Sequence, residues 1–232
     1  YDTAAYICNT YMIGQYLLDF EYSKVEGYVA RLDQYYNALD QIEIIFNEES
    51  NDQMVDEDYV AVISKKLKAL LHEDNLDQAV VYYYLAIFEG DTKATIDYYE
   101  KCYELDPNCY DVCVQLGLMH RRNGNYKEAR KYTYRALGKD RNDSGALRSL
   151  AILDMLEGKM EEGLMNAQAA YDSNPDGNYV RDTYMVALYF NGKNSEADLI
   201  MKEINEAQGS IDEDTQLLIN GEITLEEYYV EG

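Results

Sequence analysis

The feature that most constrains the fold is a glycine that recurs every 34 residues, at Gly90, Gly124, Gly158 and Gly192. Each glycine follows an apolar stretch with helical spacing and opens a similar polar turn. A fixed period of this length indicates a repeat architecture, in which one small helical unit is stacked on the next. The chain is therefore expected to be an array of helix pairs joined by glycine turns.

A second marker lies seventeen residues after two of these glycines and ends the unit. Its sequence is Leu105-Asp106-Pro107-Asn108 in one copy and Ser173-Asn174-Pro175-Asp176 in the other. Proline cannot continue a helix, and the Asp or Asn beside it caps the next one. The period thus consists of a helix, a glycine turn, a second helix and a polar stop. This pattern resembles the tetratricopeptide repeat, a helix-turn-helix unit of 34 residues.

The resemblance covers residues 76–211 and divides them into four units, at 76–109, 110–143, 144–177 and 178–211. The second unit matches best, with Leu116, Gly117, Gly124, Tyr126, Ala129 and Ala136. The aromatic residue of the family's first helix is replaced by Ala79, Cys113, Leu147 and Arg181 in the four units. The resemblance implies an all-α fold in which the units form a right-handed superhelix.

Residues 1–75 lack the 34-residue register but still show helical patterns. One apolar face runs from Val25 to Ile45, a second runs from Tyr59 to Leu71, and Ala4–Phe20 would form a third helix. We expect these helices to be an irregular N-terminal unit or cap that covers the open apolar face of the first repeat. A separate, sensor-like helical bundle is the alternative.

Residues 212–232 form an acidic tail with seven acidic residues and no basic one. Thr224 and Glu227 have the spacing of a capping box, which predicts a short helix over 225–229. One interpretation is a C-terminal capping helix. The other is an acidic, aromatic docking peptide that presents Leu225, Tyr228 and Tyr229 to the second repeat in cis or to a neighbouring molecule, which would allow self-association.

The charge distribution singles out the second repeat. The chain has 20 Lys and Arg against 44 Asp and Glu, whereas residues 110–143 contain eight basic and four acidic residues. This repeat could anchor an acidic peptide, a neighbouring subunit or the chain's own tail. We assign Arg130, Lys131 and Arg135 to a solvated outer face. A net charge of −24 argues against nucleic-acid binding, and the longest apolar stretch, residues 79–88, is too short for membrane insertion.

No motif for catalysis or cofactor binding is present. His72 and His120 lack the His-Glu-x-x-His spacing, and the glycine patterns that bind phosphates or dinucleotides are missing. Cys102, Cys109 and Cys113 lie within twelve residues and, with His120, could hold zinc. Their spacing is not that of a zinc knuckle, and free cysteine packs as a small hydrophobe. We therefore predict buried thiols, no metal, no cofactor and no enzymatic activity.

A binding surface is implied by the resemblance, because the first helix of each tetratricopeptide repeat lines an inner groove. The fifth, ninth and twelfth positions of the four units should then face a ligand. These positions are Val80, Tyr84 and Ile87, then Val114, Leu118 and Arg121, then Arg148, Ile152 and Met155, then Asp182, Val186 and Tyr189. Arg121 and Arg148 would bind a ligand carboxylate or carbonyl. The 25 tyrosines also favour a binding role.

Two functions remain open at this point. The first is a scaffold or adaptor that binds a protein or peptide segment in the groove. The second is a structural or regulatory accessory domain of a larger protein, which could be membrane-anchored. The chain begins with Tyr1 rather than Met, so we expect that an export signal or a larger upstream part has been removed. The sequence does not choose between a cytoplasmic location and the soluble part of an exported or anchored protein.

Overall fold

The computed structural model describes residues 22–50, 56–90, 92–109, 111–177 and 179–231. Within these ranges the chain is helical and contains no strand, so the predicted all-α fold of paired helices is confirmed. The helices are α1 (Tyr22–Ser50), α2 (Asp56–Leu70), α3 (Gln78–Ile87), α4 (Thr92–Leu105), α5 (Val112–Arg122), α6 (Tyr126–Lys139), α7 (Ser144–Leu156), α8 (Met160–Ser173), α9 (Val180–Phe190), α10 (Asn194–Gln208) and α11 (Glu213–Asn220). A π-helical turn, Glu227–Glu231, follows them.

The chain forms two compact units, Tyr1–Val112 and Cys113–Gly232. This division does not fall at residue 75, where the sequence pattern changes. The division into an N-terminal cap, four repeats and a tail therefore stays a prediction. The predicted helix over Ala4–Phe20 lies outside the described residues.

In the first unit, α1 and α2 pack against each other and against α3, which pairs with α4. Each of these first three helices contributes fully or almost fully buried residues, among them Ala38, Ile42, Ile63, Leu67, Val81 and Leu85. Asp77 starts α3, because its carboxylate accepts a hydrogen bond from the Ala79 amide at 2.9 Å. Its own amide donates to the Gln34 carbonyl of α1 at 3.1 Å, which fixes the start of α3 on α1.

The second unit contains three equivalent glycine turns. Gly124, Gly158 and Gly192 have φ angles of 70°, 77° and 71° and follow α5, α7 and α9. In each turn, the amide after the glycine donates to the carbonyl five residues earlier, as from Lys159 to Asp154 at 2.8 Å. This is the Schellman arrangement, which favours glycine because its φ is positive. Gly90 also lies between two helices, but it is not left-handed.

Small residues allow the paired helices of the second unit to approach closely. A Cβ atom on Gly163 of α8 would lie 2.6 Å from Met155 Cγ and 3.1 Å from the Ala151 carbonyl oxygen of α7. A Cβ on Gly117 of α5 would lie 2.9 Å from Thr133 Oγ1 of α6. Both distances are shorter than van der Waals contact, so these positions require glycine at the present helix separation.

The predicted cysteine packing is seen at three positions, because Cys102, Cys109 and Cys113 are buried. A hydrogen bond with the Cys102 thiol, and then burial, raise the pKa of Cys109, which keeps it protonated. Among the described residues, no group of three His, Cys, Asp or Glu side chains could hold a metal ion. No helix in this part of the chain is long and apolar enough to cross a membrane.

Candidate functional site

The candidate site lies where α5, α7 and α9 of the second unit meet the C-terminal segment, residues 211–231. Arg121, at the end of α5, is 3% exposed and donates a hydrogen bond through Nη1 to the Tyr229 backbone carbonyl. Its guanidinium carbon lies 5.7 Å from the centroid of the Tyr229 ring, in a cation–π contact. Burial and the nearby Arg148 charge lower the pKa of Arg121 to about 10, so it remains a cation at neutral pH.

The Arg121 hydrogen bonds are incomplete. Its Nε is buried and has no hydrogen-bond partner among the described residues. A guanidinium offers five N–H donors in a planar fork, and two of them can bind one carboxylate in parallel. The carbonyl of Tyr229 uses only one side of this fork.

Arg148 of α7 binds the beginning of α9. Its Nε donates to the Tyr179 carbonyl at 3.1 Å and to Thr183 Oγ1 at 2.9 Å, and its guanidinium carbon lies 5.4 Å from the centre of the Tyr179 ring. Tyr179 has a φ of 55°, which is strained for a bulky residue. Burial lowers the pKa of Arg148, and the nearby Tyr229, Tyr228 and Asp182 oppose that effect.

Asp182 and Thr183 complete the part of the site that α9 supplies. Asp182 is almost fully buried, and this burial raises the pKa of its carboxyl, as does the charge of Asp212 in the C-terminal segment. Tyr229 is also buried, and its hydroxyl makes no hydrogen bond of normal geometry in the described part of the chain, although Thr183 lies beside it. Burial raises the Tyr229 pKa, and the surrounding Arg148, Thr183 and Arg121 oppose the rise. The pocket therefore uses the ring and the backbone of Tyr229 more than its hydroxyl.

The rest of the C-terminal segment is ordered by its own polar contacts. Thr224 and Glu227 form the predicted capping box: the Thr224 amide donates to Glu227 Oε2 at 2.7 Å, and the Glu227 amide donates to Thr224 Oγ1 at 3.1 Å. The hydroxyls of Thr215 and Tyr228 lie 2.6 Å apart. Tyr126, at the start of α6, donates to Glu226 Oε1 at 3.1 Å. The segment thus contacts the second repeat through Arg121 and Tyr126.

The predicted groove residues of the second unit differ in exposure. Arg121, Ile152, Met155, Asp182 and Val186 are buried, whereas Val114, Leu118, Arg148 and Tyr189 are half-buried. Ile152, Met155 and Val186 belong to one apolar cluster that also includes Leu218 and Tyr229 of the C-terminal segment. In the first unit, Val80 is buried, Tyr84 is half-buried with its ring 5.9 Å from Phe46, and Ile87 is 50% exposed. A ligand-binding role for these twelve residues stays a prediction.

The expectation of a solvated Arg130 is wrong. Its side chain is 20% exposed and pairs with Asp154 Oδ1 at 2.8 Å and with Glu157 Oε2 at 3.1 Å. Asp154 is almost fully buried and also accepts a hydrogen bond from Asn166. A buried carboxylate needs such partners, so Arg130 joins α6 to α7 rather than facing water. Lys131 and Arg135 are exposed.

Residues 84–109 and 110–143 each match the model of the tetratricopeptide repeat family. Residues 84–143 are therefore similar to two tetratricopeptide repeats. No curated protein matches its sequence.

Solved structures of tetratricopeptide repeat proteins show a fold similar to that of this chain. MamA from Desulfovibrio magneticus RS-1 is 17% identical, with a TM-score of 0.57 over 74% of this chain and 98% of MamA. YrrB, described as a TPR protein with an unusual peptide-binding site, is 18% identical, with a TM-score of 0.54 over 79% of this chain and 92% of YrrB. Identities this low concern the fold alone.

Proposed function

We propose that this protein is a non-enzymatic scaffold that binds a protein or peptide segment on the inner face of its second unit, defined as the surface of α5, α7 and α9. One observation carries the proposal: this face already holds a polypeptide segment, the chain's own residues 211–231. Arg121 binds the backbone of that segment, and the apolar cluster around Ile152 and Val186 takes up its Tyr229 ring. Tetratricopeptide repeat proteins typically bind protein or peptide partners, which agrees with this proposal.

The contacts are of a kind that suits peptide binding. A charged donor on a backbone carbonyl binds main-chain atoms that every peptide has, and a buried aromatic ring supplies most of the contact area. Aromatic and arginine residues at the centre of an interface usually contribute more binding energy than the polar residues around them. The half-buried side chains Val114, Leu118 and Tyr189 would extend the surface around this centre.

The second candidate is a structural accessory domain of a larger protein. It is favoured by the complete burial of Ile152, Met155 and Val186, because side chains that pack beneath the C-terminal segment have no contact area left for a partner. In that case the segment is a permanent cap, and the inner face has no external ligand.

Selection of peptides from a displayed random library distinguishes the two functions. The target is the full chain with Tyr229→Ala, which weakens the anchor of the C-terminal segment, after circular dichroism has shown that the helices are retained. We expect enriched peptides whose affinity falls about tenfold, or about 1.4 kcal/mol, when Leu118 is also changed to Ala. Met165→Ala is the matched control, because this side chain is 71% exposed on the second helix of its pair.

The same experiment can also contradict the scaffold function. If no peptide is enriched, or if Leu118→Ala and Met165→Ala have the same effect on the selected peptides, the inner face does not bind them. The accessory-domain function would then be the better account.

A further inference from the structure

We propose that the ligand of the inner face is an acidic peptide segment with an aromatic residue, and that the C-terminal segment is an internal copy of this ligand. The inference rests on the proposed peptide-binding function and adds the chemistry of the partner. Three properties of the site support it: the unused donor of Arg121, the local positive charge, and the slot filled by Tyr229.

The Arg121 guanidinium has hydrogen-bond donors that the C-terminal segment does not use. The guanidinium is 3% exposed, donates through Nη1 to one carbonyl, and leaves Nε buried without a partner in the described chain. A carboxylate accepts two parallel hydrogen bonds from a guanidinium, whereas a carbonyl oxygen bonded to Nη1 alone leaves Nε unpaired. A ligand that places a Glu or Asp carboxylate at this point would therefore satisfy the group that the C-terminal segment leaves unpaired.

The second argument is charge complementarity. Residues 110–143 contain eight basic and four acidic residues in a chain whose net charge is −24, and the cations Arg122 and Arg148 lie close enough to Arg121 to lower its pKa. The segment docked there, residues 211–231, contains seven acidic residues and no basic one. Glu226 of this segment accepts a hydrogen bond from Tyr126, at the start of α6. Opposite charges on the two surfaces favour an acidic segment over a neutral or basic one.

The third argument is the aromatic slot. The Tyr229 ring lies under the Arg121 guanidinium and in the apolar cluster with Met155, Val186 and Leu218. Its hydroxyl is buried and makes no hydrogen bond of normal geometry with the described residues, although Thr183 lies beside it, so the ring fills most of the slot. A phenylalanine should therefore replace the tyrosine of the ligand without loss, whereas an alanine should not.

An internal copy of the ligand changes the apparent affinity for an external one. The C-terminal segment is joined to α10 by a short connection around Gly209, which gives it an effective concentration in the millimolar range. An external segment binds only the fraction of molecules whose face is open, so its apparent dissociation constant rises by the inverse of that fraction. Weakening the internal segment should increase the affinity for the external one.

Fluorescence anisotropy with a labelled peptide of the sequence of residues 222–232 tests the inference. The peptide is titrated with the native chain, with Tyr229→Ala and with Tyr229→Ala/Arg121→Gln. We expect at least tenfold tighter binding to Tyr229→Ala than to the native chain, and at least tenfold weaker binding to the double variant. Tyr229→Ala/Met165→Ala is the control, because Met165 is exposed and lies away from α5, α7 and α9.

Altered peptides test which chemical groups of the ligand are needed for binding. A peptide with phenylalanine in place of Tyr229 should bind like the parent peptide, whereas peptides with alanine in place of Tyr229, or glutamine at every glutamate, should bind at least tenfold more weakly. Equal binding of the glutamine or alanine peptides would overturn the inference, and so would binding that is unaffected by Arg121→Gln. If display-selected peptides still bind the inner face in that case, the proposed function survives. If those peptides do not bind either, both proposals fail.

Discussion

At the scale of single residues, the inner face depends on how one buried and one half-buried guanidinium, those of Arg121 and Arg148, are compensated. Removing an arginine from water is unfavourable unless hydrogen bonds and aromatic contacts replace the lost hydration. Arg148 obtains a carbonyl and a ring from Tyr179, and that geometry keeps Tyr179 in the left-handed region. Arg121 obtains a carbonyl and a ring from Tyr229, but its Nε is unpaired. The backbone strain at Tyr179 is about 1–3 kcal/mol for a residue of this kind, and it goes with an Arg148 side chain that already has its partners. Arg121, in contrast, still has an Nε donor that a ligand could bind.

The buried carboxyl of Asp182 leads to a prediction about pH. Burial and the Asp212 charge raise its pKa in the folded chain, so ionisation is less favourable there than in the unfolded chain. The unfolded carboxyl ionises first as the pH rises above about 4, and the folded chain loses stability until the pH exceeds the raised pKa. Asp182→Asn should therefore raise the thermal unfolding midpoint at pH 7, and the gain should shrink as the pH falls towards 4.

Calorimetry of the two chains at pH 7 and near pH 4 measures this difference. Asp214→Asn is a suitable control, since this carboxylate is exposed in the first turn of α11. A lower unfolding midpoint of Asp182→Asn at pH 7 would mean that the contact with Arg148 outweighs burial, contrary to the account.

At the scale of helices, the equivalent turns explain why the period could be found in the sequence. Left-handed backbone after α5, α7 and α9 favours glycine, so the geometry is visible in the order of residues. The buried residues Leu116, Ala129 and Ala136 were also recognisable from their fixed positions in the 34-residue repeat. The capping box at Thr224 and Glu227 was predictable because it depends on residues three positions apart.

The contacts of the site were harder to predict, because they join distant parts of the chain. Arg121 and Tyr229 are 108 residues apart, and the hydrogen bond uses a backbone carbonyl, which no residue type marks. The left-handed Tyr179 and the Thr183 hydroxyl were missed because neither follows a local rule. Arg130 was misplaced on the outer face, because the helical spacing does not reveal that Asp154 of the next helix is buried and needs a cation.

Close packing of α7 against α8 predicts the effect of two glycine substitutions. Gly163→Ala would place a Cβ 2.6 Å from Met155 Cγ, so the helices must move apart, and we expect a loss of about 1–3 kcal/mol in the free energy of unfolding. Gly138→Ala is the matched control in α6, because no atom lies within 4 Å of its new Cβ. It should stabilise the chain by about 0.5–1 kcal/mol through the better helix propensity of alanine. Urea unfolding measures both, and equal effects would show that α7 and α8 are not closely packed.

At the scale of the whole molecule, the net charge of −24 and the proposed acidic ligand act against each other over long distances. Salt screens this general repulsion beyond about 8 Å at physiological ionic strength, whereas the buried Arg121 contact is screened much less. On the proposal above, Arg121 and the neighbouring Arg122 and Arg148 determine where an acidic segment binds. On the same proposal, the segment of residues 211–231 covers the surface until a partner replaces it.

Hydrogen exchange of the full chain, followed by mass spectrometry, shows whether a peptide can replace residues 225–231 on the inner face. The account predicts that amides in residues 225–231 exchange more slowly than in a free peptide, since the segment is helical and docked. Excess isotope-labelled peptide with the sequence of residues 222–232 should speed up this exchange while α5, α7 and α9 stay protected, because the peptide takes the place of the segment. Exchange of residues 225–231 as fast as in the free peptide before any addition, or protection that the added peptide leaves unchanged, would contradict the claim that the inner face is an exchangeable peptide-binding surface.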